Sequence, residues 1–383
     1  MPFFTILKNL ASDEVFSRFL IYKIDGNAQA FSEFLTVLYE KNAQDDFSKY
    51  VSDKILYDEN TFSVACAQKK EPSPFIVKAF TQDIKSVCEE VLSAHTQDMF
   101  YIGKNLNKAN EKTENFVKKL KQFYAQYGYG NFIRYRAFKF ENETLRPVES
   151  PSEVSLADLK NYEEEKKTVA NNIENFLDGL PHSNMLLYGE RGTGKSSTIH
   201  AMLNNYYKNG LRLVELSKEN MLCLSRLKEQ LKHVPLKFII YIDDLSLNAG
   251  DERISSLKAA LEGCSEGNTD NAMIVATSNR RHIIDEKFSQ REDSVHSGDS
   301  MQEELSLSDR FGISVLFSTT NKEQYLSIVR QLAADKRIPL AESELDLLAE
   351  RWSIAKGGRS PRRAKQFIDL VYSMTSKGLP VTF

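Results

Sequence analysis

The segment Gly189–Ser196 carries the residues with the clearest chemistry in this sequence. It reads Gly-Glu-Arg-Gly-Thr-Gly-Lys-Ser and matches the phosphate-binding pattern G-x-x-x-x-G-K-[ST] at every fixed position. An apolar run, Asn184–Tyr188, precedes it, and a helix-compatible run, Ser197–Tyr207, follows it. In this strand–loop–helix setting, consecutive backbone N–H groups and the positive end of the helix face one anion. The segment therefore predicts a site for a nucleoside triphosphate.

The residues of this loop have expected roles at the nucleotide. Lys195 would contact the β- and γ-phosphates, and the hydroxyl of Ser196 would bind Mg²⁺. The alternative is a glycine-rich turn that matches the pattern by chance, which the strand–loop–helix setting disfavours. The predicted nucleotide-binding residues in this stretch are Gly189, Glu190, Arg191, Gly192, Thr193, Gly194, Lys195, Ser196 and Ser197.

Two acidic residues follow a second apolar run further along the chain. The run Phe238–Ile242 leads directly into Asp243 and Asp244. Because strands of a parallel sheet end at one edge, both carboxylates are expected beside the phosphate loop. Asp243 would hold Mg²⁺ opposite Ser196, and Asp244 would orient or deprotonate the attacking water. The alternative is a polar strand end that caps the next helix.

A polar amide follows a third predicted strand. Residues Ala272–Thr277 form an apolar run that leads into Ser278 and Asn279. An amide at this position can hydrogen-bond the γ-phosphate or the attacking water, and Asn279 is the first candidate, with Thr277 and Ser278 second. The alternative is an ordinary turn at a strand end.

Taken together, these motifs resemble the AAA+ ATPase superfamily over about residues 150–380. The phosphate loop, the two acidic strand-end residues, Asn279, Arg310 and Arg362 follow in the order and spacing of that superfamily. More narrowly, GERGTGKSS, IDDLS, ATSNRRH, LSLSDRFG and GGRSPRRAKQF resemble a bacterial AAA+ family known only as domain of unknown function 815. The region before residue 150 would then be the N-terminal extension of that family. The core also resembles loader and initiator ATPases, but their substrate-contact elements are not evident in this sequence.

The resemblance implies roles for further side chains. Asn279 would occupy the first sensor position, and Arg310 the arginine-finger position that reaches the γ-phosphate of a neighbouring subunit. A guanidinium supplied by a neighbour links hydrolysis to assembly, so a homo-oligomer is expected. The alternative for Arg310 is a surface ion pair with Asp309. Arg362 matches the second sensor on a terminal helical lid, with Arg363 as a rival for that role.

These roles lead to one main hypothesis and two alternatives. The main hypothesis is an ATPase that hydrolyses ATP with Mg²⁺ and drives a conformational change on a macromolecular partner. Asp244 supports a switch or adaptor that binds ATP but rarely hydrolyses it, because Glu is usual there and Asp is one methylene shorter. The second alternative is a nucleic-acid loader that would bind nucleic acid through two groups of basic residues. The competing interpretations are that the first group is a solvated helix face and that the second group contacts the nucleotide. The two groups are Lys118, Lys119 and Lys121, and Lys356, Arg359, Arg362, Arg363 and Lys365.

The elements that must position these residues alternate in α/β fashion. Together with the run before the phosphate loop, four apolar runs predict a five-stranded parallel sheet covered by helices. A polar loop at residues 285–305 is expected to be mobile. After Phe317 the pattern is purely helical, at about residues 321–336, 342–355 and 360–376, which predicts a helical lid. The four runs are Leu211–Leu216, Phe238–Ile242, Ala272–Thr277 and Ile313–Phe317.

The first part of the chain is predicted to be mostly helical and shows no recognisable chemistry. An apolar stripe of Phe116, Leu120, Phe123 and Tyr124 is expected to belong to a core. Strand formers at residues 131–140 and an extended linker at 141–155 follow. The expected domains are residues 1–127, a strand and linker at 128–155, an ATP-binding core at 156–318 and a lid at 319–383.

Composition is typical of a globular protein. The 383 residues are 27% charged and 41% hydrophobic, and the net charge of −3 argues against a generally basic nucleic-acid binder. The first residues lack the features of a signal peptide, and no apolar run approaches the roughly 20 residues that span a bilayer. A cytoplasmic location is therefore expected. Four scattered cysteines without a C-x-x-C pair predict buried free thiols: Cys66, Cys88, Cys223 and Cys264.

Overall fold

The structure is a computed structural model that describes residues 4–44, 46–93, 111–248, 251–262, 271–279, 284–285 and 310–381. In this part of the chain, no helix is long and apolar enough to cross a membrane. The chain divides into two compact units. One comprises Met1–Tyr135 and His233–Leu236, and the other comprises Arg136–Lys232 and Lys237–Phe383.

The first unit is helical, as the apolar spacing predicts. Side chains of Asp13, Asn27, Asp46 and Asn60 each accept a backbone N–H at the start of a helix, which satisfies donors that the helix itself leaves unpaired. The described helices are α1 (Lys8–Ala11), α2 (Glu14–Asp25), α3 (Ala28–Glu40), α4 (Phe47–Leu56), α5 (Thr61–Ala67), α6 (Pro74–Ser93), α7 (Glu111–Tyr127) and α8 (Asn131–Arg134).

Several aromatic side chains pack against one another in the core of this unit. The rings of Phe62 and Phe80 stack with their centroids 4.1 Å apart. Tyr124 is fully buried, and its hydroxyl donates to the carbonyl oxygen of Ile55 at 2.9 Å. The predicted stripe on α7 packs into this core, with Leu120 and Tyr124 buried and the other two members partly buried. The prediction of core packing for that stripe is therefore confirmed.

The cysteines of the described residues are free thiols, as predicted. Cys66 and Cys88 are buried in the first unit, and burial raises the pKa of each thiol to about 11. Both thiols therefore stay protonated and unreactive near neutral pH. Cys223 is half-buried, and Cys264 lies outside the described residues.

The second unit is built on a sheet that has seven strands in the described part of the chain, so the predicted count of five was wrong. The prediction of an α/β fold with a mainly parallel sheet is confirmed. The strand order is β2-β1-β4-β5-β7-β3-β9, and a separate parallel pair joins β6 to β8. The strands are β1 (Ala137–Glu141), β2 (Thr144–Pro147), β3 (Met185–Gly189), β4 (Leu211–Leu216), β5 (Lys237–Ile242), β6 (Leu247–Asn248), β7 (Ala272–Ser278), β8 (Ile284–Asp285) and β9 (Ile313–Phe317).

The two additional strands come from the stretch interpreted as a strand followed by a linker. Residues 131–134 form α8, and the strand begins only at Ala137. Strand β1 pairs in parallel with β4, and β2 folds back antiparallel on β1. The turn between them, Asn142 and Glu143, has φ of 50° and 59°, the left-handed pair that a two-residue hairpin requires. Glu143 is an uncommon residue at such a position, which is why the sequence concealed the turn.

The remaining five strands are the predicted ones, and all of them run parallel. Strand β7 is buried along its whole length and lies between β5 and β3. Helices pack against the sheet, and the last three form their own core around Tyr325 and Phe367. The helices are α9 (Glu163–Leu177), α10 (Lys195–Tyr206), α11 (Leu224–Leu231), α12 (Glu252–Glu262), α13 (Lys322–Asp335), α14 (Glu342–Ala355) and α15 (Pro361–Ser376).

The stacked pair of the first unit provides a test of its core. Phe80→Ala is expected to lower the free energy of unfolding by about 3–5 kcal/mol, because it removes a fully buried ring and leaves a cavity. Phe75 is the matched control, since it lies on the same helix but is 74% exposed. Phe75→Ala is expected to change that free energy by no more than about 0.5 kcal/mol. Urea unfolding followed by circular dichroism measures both, and equal effects would contradict the described core.

Candidate nucleotide-binding site

The phosphate loop connects β3 to α10, at the carboxyl edge of the sheet. Gly189 ends β3 with φ of 136°, opposite Phe317 of β9. A Cβ atom at Gly189 would lie 2.1 Å from the carbonyl oxygen of Phe317, so only glycine fits there. Gly194 precedes the helix with φ of 101°, in the left-handed region. Gly189 is therefore required by a close approach of two strands, and Gly194 is favoured by its left-handed backbone conformation.

Lys195 is buried at the start of α10. Its Nζ donates to the carbonyl oxygens of Gly189 and Glu190, at 2.7 and 2.8 Å. Thr193 also donates through Oγ1 to the carbonyl of Glu190, at 2.9 Å. The ammonium group is thus held inside the loop rather than in solvent. Ser197 is half-buried on the same helix, whereas Glu190 and Arg191 are exposed at the rim of the loop.

Burial and the charges around the loop together shift the pKa of Lys195. Removal from water is the largest cause that lowers the pKa of this side chain. The carboxylates of Asp243 and Asp244 counteract it, and the guanidinium groups of Arg362 and Arg191 reinforce it. Lys195 of the loop therefore lies close enough to both predicted acids and to Arg362 for their charges to change its pKa.

Three hydroxyl groups donate to a single oxygen of Asp243. Its Oδ1 accepts from Ser196 at 2.8 Å, from Tyr241 at 2.7 Å and from Thr277 at 2.6 Å. Partial removal from water raises the pKa of Asp243, but these hydroxyls and the N–H of Asp244 outweigh it, so the pKa lies below its ordinary value. Asp243 is therefore ionised near neutral pH and lies against the serine of the loop.

Asp244 adopts a left-handed backbone conformation, with φ of 51°. Its N–H donates to Oγ1 of Thr277 at 2.9 Å. Asn279 follows β7 and donates through Nδ2 to the carboxylate oxygen Oδ1 of Asp244. The structure thus brings Asn279 and Asp244 into direct contact, which the sequence did not predict.

The start of α15 lies against the phosphate loop. The N–H of Arg362 donates to the carbonyl oxygen of Gly192 at 3.1 Å. A Cβ atom at Gly192 would lie 3.2 Å from both the Cβ of Arg362 and the Oγ of Ser360. Arg363 points elsewhere, since its Nη1 would be 2.9 Å from a Cβ atom at Gly358. Of the two rival arginines, Arg362 is the one beside the loop.

Arg310 lies in the turn that precedes β9 and is half-buried. Its proposed partner Asp309 lies outside the described residues, so the ion-pair alternative stays untested. The loop predicted at residues 285–305 lies outside them too, apart from its first residue. The arginine-finger role of Arg310 therefore stays a prediction.

Two groups of basic residues raised the loader hypothesis, and one residue of each group forms a described ion pair. In the first unit, Lys121 contacts Glu71 at 2.5 Å, whereas Lys118 and Lys119 are exposed. In the second unit, Arg359 forms two hydrogen bonds to the carboxylate of Glu350, at 3.1 and 3.0 Å. The charges of Lys121 and Arg359 are therefore partly neutralised within their own units, which weakens the case for each group as a nucleic-acid surface.

Sequence reasoning missed Tyr241 and the contacts of Thr277. Tyr241 is 2% exposed, and its ring packs edge-on against the imidazole of His200. The available signal was a hydroxyl inside the otherwise apolar run Phe238–Ile242. Thr277 was considered only as a second candidate for the Asn279 position, whereas the structure places its hydroxyl on both acidic residues.

Comparisons with known proteins gave one family match and several similar solved structures. The family model described as protein of unknown function (DUF815) matches residues 133–375. No curated protein matches the sequence. Among solved structures, the chain is similar to the Holliday junction branch migration motor RuvB of Thermotoga maritima, at 16% identity and a TM-score of 0.42, over 59% of this chain and 67% of that one. A DNA replication initiation factor is similar at 18% identity and a TM-score of 0.38, over 59% and 65% of the two chains.

The family match covers more than half of the chain and includes all the strands from β1 to β9. It also includes the phosphate loop, both acidic residues, Asn279, Arg310 and the start of α15. Because the loop motif stands between a buried parallel strand and a helix N-terminus, the second unit has the strand–loop–helix arrangement of the phosphate-binding motif and resembles the AAA+ ATPases. The chain belongs to the family described as protein of unknown function (DUF815).

Proposed function

We propose that this protein binds ATP and hydrolyses it to ADP and phosphate with Mg²⁺, and that hydrolysis drives a conformational change on a macromolecular partner. One observation carries the proposal: Ser196 of the phosphate loop and Asp243 of β5 lie 2.8 Å apart, oxygen to oxygen. A phosphate-binding loop and a metal-binding carboxylate must meet in this way for phosphoryl transfer. Asn279 donates a hydrogen bond to the carboxylate of Asp244, the residue that follows Asp243, and this contact supports hydrolysis in addition to binding.

The loop supplies the contacts for the phosphates. Backbone N–H groups at the N-terminus of α10 favour an anion there. Lys195 donates to two neutral carbonyls, and it would exchange them for charged phosphate oxygens, which make stronger hydrogen bonds. Its burial keeps this charge close to the bound phosphates.

The residues present also fit a magnesium ion. Ser196 and Asp243 offer a hydroxyl and a carboxylate, which are the hard oxygen donors that Mg²⁺ prefers. The lowered pKa of Asp243 keeps the carboxylate charged, as metal binding requires. When bound there, Mg²⁺ supplies positive charge that neutralises the β- and γ-phosphate oxygens.

Asp244 is proposed to act on the attacking water. As the water oxygen bonds to the γ-phosphorus, the bond from that phosphorus to the bridging oxygen breaks, and Asp244 accepts a proton from the water. The hydrogen bond from Asn279 orients the carboxylate for this task. Asp is one methylene shorter than Glu, and this supports a second candidate function, an ATP-dependent switch that rarely hydrolyses its nucleotide.

Phosphate release separates the ATPase from the switch. We expect wild-type protein with ATP and Mg²⁺ to release phosphate, and Lys195→Ala to lose both ATP binding and release. Asp244→Asn is expected to bind ATP normally but to hydrolyse it roughly 10²- to 10⁴-fold more slowly, because it lacks the proton acceptor. A wild-type rate no higher than that of Lys195→Ala, with ATP binding intact, would establish the switch instead.

The trans role of Arg310 can be tested by mixing variants. Arg310→Ala is expected to bind ATP normally and to hydrolyse it about 10³-fold more slowly, since it lacks a charge that stabilises the transferred phosphoryl group. An equimolar mixture of Arg310→Ala and Asp244→Asn is expected to regain activity. At some interfaces of a mixed oligomer, the intact Asp244 of an Arg310→Ala subunit would meet the intact Arg310 of an Asp244→Asn neighbour. Hydrolysis retained in Arg310→Ala alone, or a mixture no more active than its parts, would remove the finger role.

The two adjacent arginines of α15 form a matched pair. Arg362→Ala is expected to weaken ATP binding about tenfold, or ~1.4 kcal/mol, because it removes a positive charge beside the loop. Arg363→Ala is expected to stay within about twofold of the wild type, which is less than ~0.5 kcal/mol. Titration with a fluorescent ATP analogue measures both constants. A larger loss in Arg363→Ala would transfer the lid-sensor role to that residue.

A further inference from the structure

Thr277 contacts three consecutive residues of the turn that carries the acids. Its Oγ1 donates to Oδ1 of Asp243 at 2.6 Å and accepts the N–H of Asp244 at 2.9 Å. Its carbonyl oxygen accepts the N–H of Leu245 at 2.6 Å. Thr277 is 1% exposed in the buried strand β7, so its own position is set by the sheet. The turn after β5 is thereby tied to the neighbouring strand.

The backbone of Asp244 needs this support. Its φ of 51° lies in the left-handed region, which residues other than glycine adopt at some cost in conformational energy. This conformation directs the N–H of Asp244 to the hydroxyl of Thr277. A side chain without a hydroxyl at position 277 would leave that N–H without the acceptor that it has in this structure.

The second contact of the same hydroxyl orients Asp243. Three donors converge on Oδ1, and rotation of the carboxylate about its Cβ–Cγ bond would break their hydrogen bonds. Ser196 belongs to the phosphate loop, so Thr277 and Tyr241 are the two donors that come from the sheet. Tyr241 contacts the acid that would hold the metal, whereas Thr277 contacts both acids.

We propose that Thr277 is a positioning residue for both acids. Its single hydroxyl group orients the carboxylate of Asp243, which would hold the metal, and supports the backbone conformation of Asp244, which would direct the attacking water. The proposal rests on the function proposed above. In it, strand β7 aligns Asp243 and Asp244 through Thr277. Tyr241 is a second positioning residue that acts on Asp243 alone. Loss of Thr277 is therefore expected to affect both metal use and turnover, and loss of the Tyr241 hydroxyl to affect metal use.

The test compares Thr277→Val, Thr277→Ser and Tyr241→Phe in the full chain. Phosphate release is measured against Mg²⁺ concentration, and a fluorescent ATP analogue is titrated with Mg²⁺ and with EDTA. Thr277→Val is expected to need about tenfold more Mg²⁺ for half-maximal rate and to lose about tenfold or more in kcat. Tyr241→Phe is expected to show the shift in Mg²⁺ requirement with kcat within about threefold of the wild type. Thr277→Ser keeps the hydroxyl and is expected to stay close to the wild type in both.

Binding with EDTA is expected to be the same in all four proteins, which shows that the loop is intact. If Thr277→Val does not fold, Thr277→Ala replaces it, because the smaller side chain cannot overpack the strand. A Thr277→Val protein with wild-type kcat and Mg²⁺ requirement would overturn the proposal, and so would a Thr277→Ser protein that loses as much as Thr277→Val.

The two proposals fail in different ways. If the wild type hydrolyses ATP and Thr277→Val matches it, only the role of Thr277 is wrong. If the wild type does not hydrolyse ATP but binds it more tightly with Mg²⁺, the ATPase proposal is wrong. Thr277 is then tested by whether Thr277→Val loses that Mg²⁺-dependent gain, and a retained gain overturns its role.

Discussion

The candidate site depends on the pairing of β7 between β5 and β3. Tyr188 of β3 lies opposite Ser278 of β7, and Ala276 of β7 lies opposite Ile242 of β5. This register brings the ends of the three strands to one edge of the sheet. A shift by one residue would reverse the faces to which the side chains point, and it would remove Thr277 from the acids. Hydrophobic burial along all of β7 stabilises the register, so the core of the fold also holds the geometry of the site.

The site combines a buried cation with a hydrogen-bonded anion. Lys195 loses its contact with water and gains two backbone carbonyls, and the carboxylates of Asp243 and Asp244 favour its charged form. Asp243 keeps its charge because hydroxyl groups replace part of its hydration. Burial of the Lys195 charge without these carboxylates would be costly. Asp243 itself is exposed to solvent, so its charge lies at the open side of the loop.

The first unit is helical and is stabilised by its own packing. Its described residues form a hydrophobic core that includes several aromatic rings, several of its helices are capped, and its buried thiols are unreactive. One buried carboxylate has a structural task there: Asp83 accepts the N–H groups of Thr5, Ile6 and Leu7, which anchors the start of the chain.

The sequence by itself determined the parts of this protein that follow from local patterns. The spacing of glycines, Lys195 and Ser196 predicts the phosphate loop, and apolar runs that end in polar residues predict which strands approach it. Local patterns also predict the helices, because their apolar spacing and caps are contained in short segments. The edge strand β2 escaped prediction, since the turn that leads into it uses a rare residue and its residues were interpreted as a linker.

Only the tertiary structure decided which groups touch. The sequence favours Arg362 over its neighbour Arg363 as the lid sensor, and the approach of α15 to Gly192 brings Arg362 next to the phosphate loop. The sequence likewise offered Asn279, Thr277 and Ser278 for one task, and the structure separates the first two by their contacts with the acids. The physical reason is that a hydrogen bond forms only when the donor–acceptor distance is right to within a few tenths of an ångström, and here the partners belong to strands that lie far apart in the chain. Side-chain type indicates what chemistry is possible, and strand register decides where it takes place.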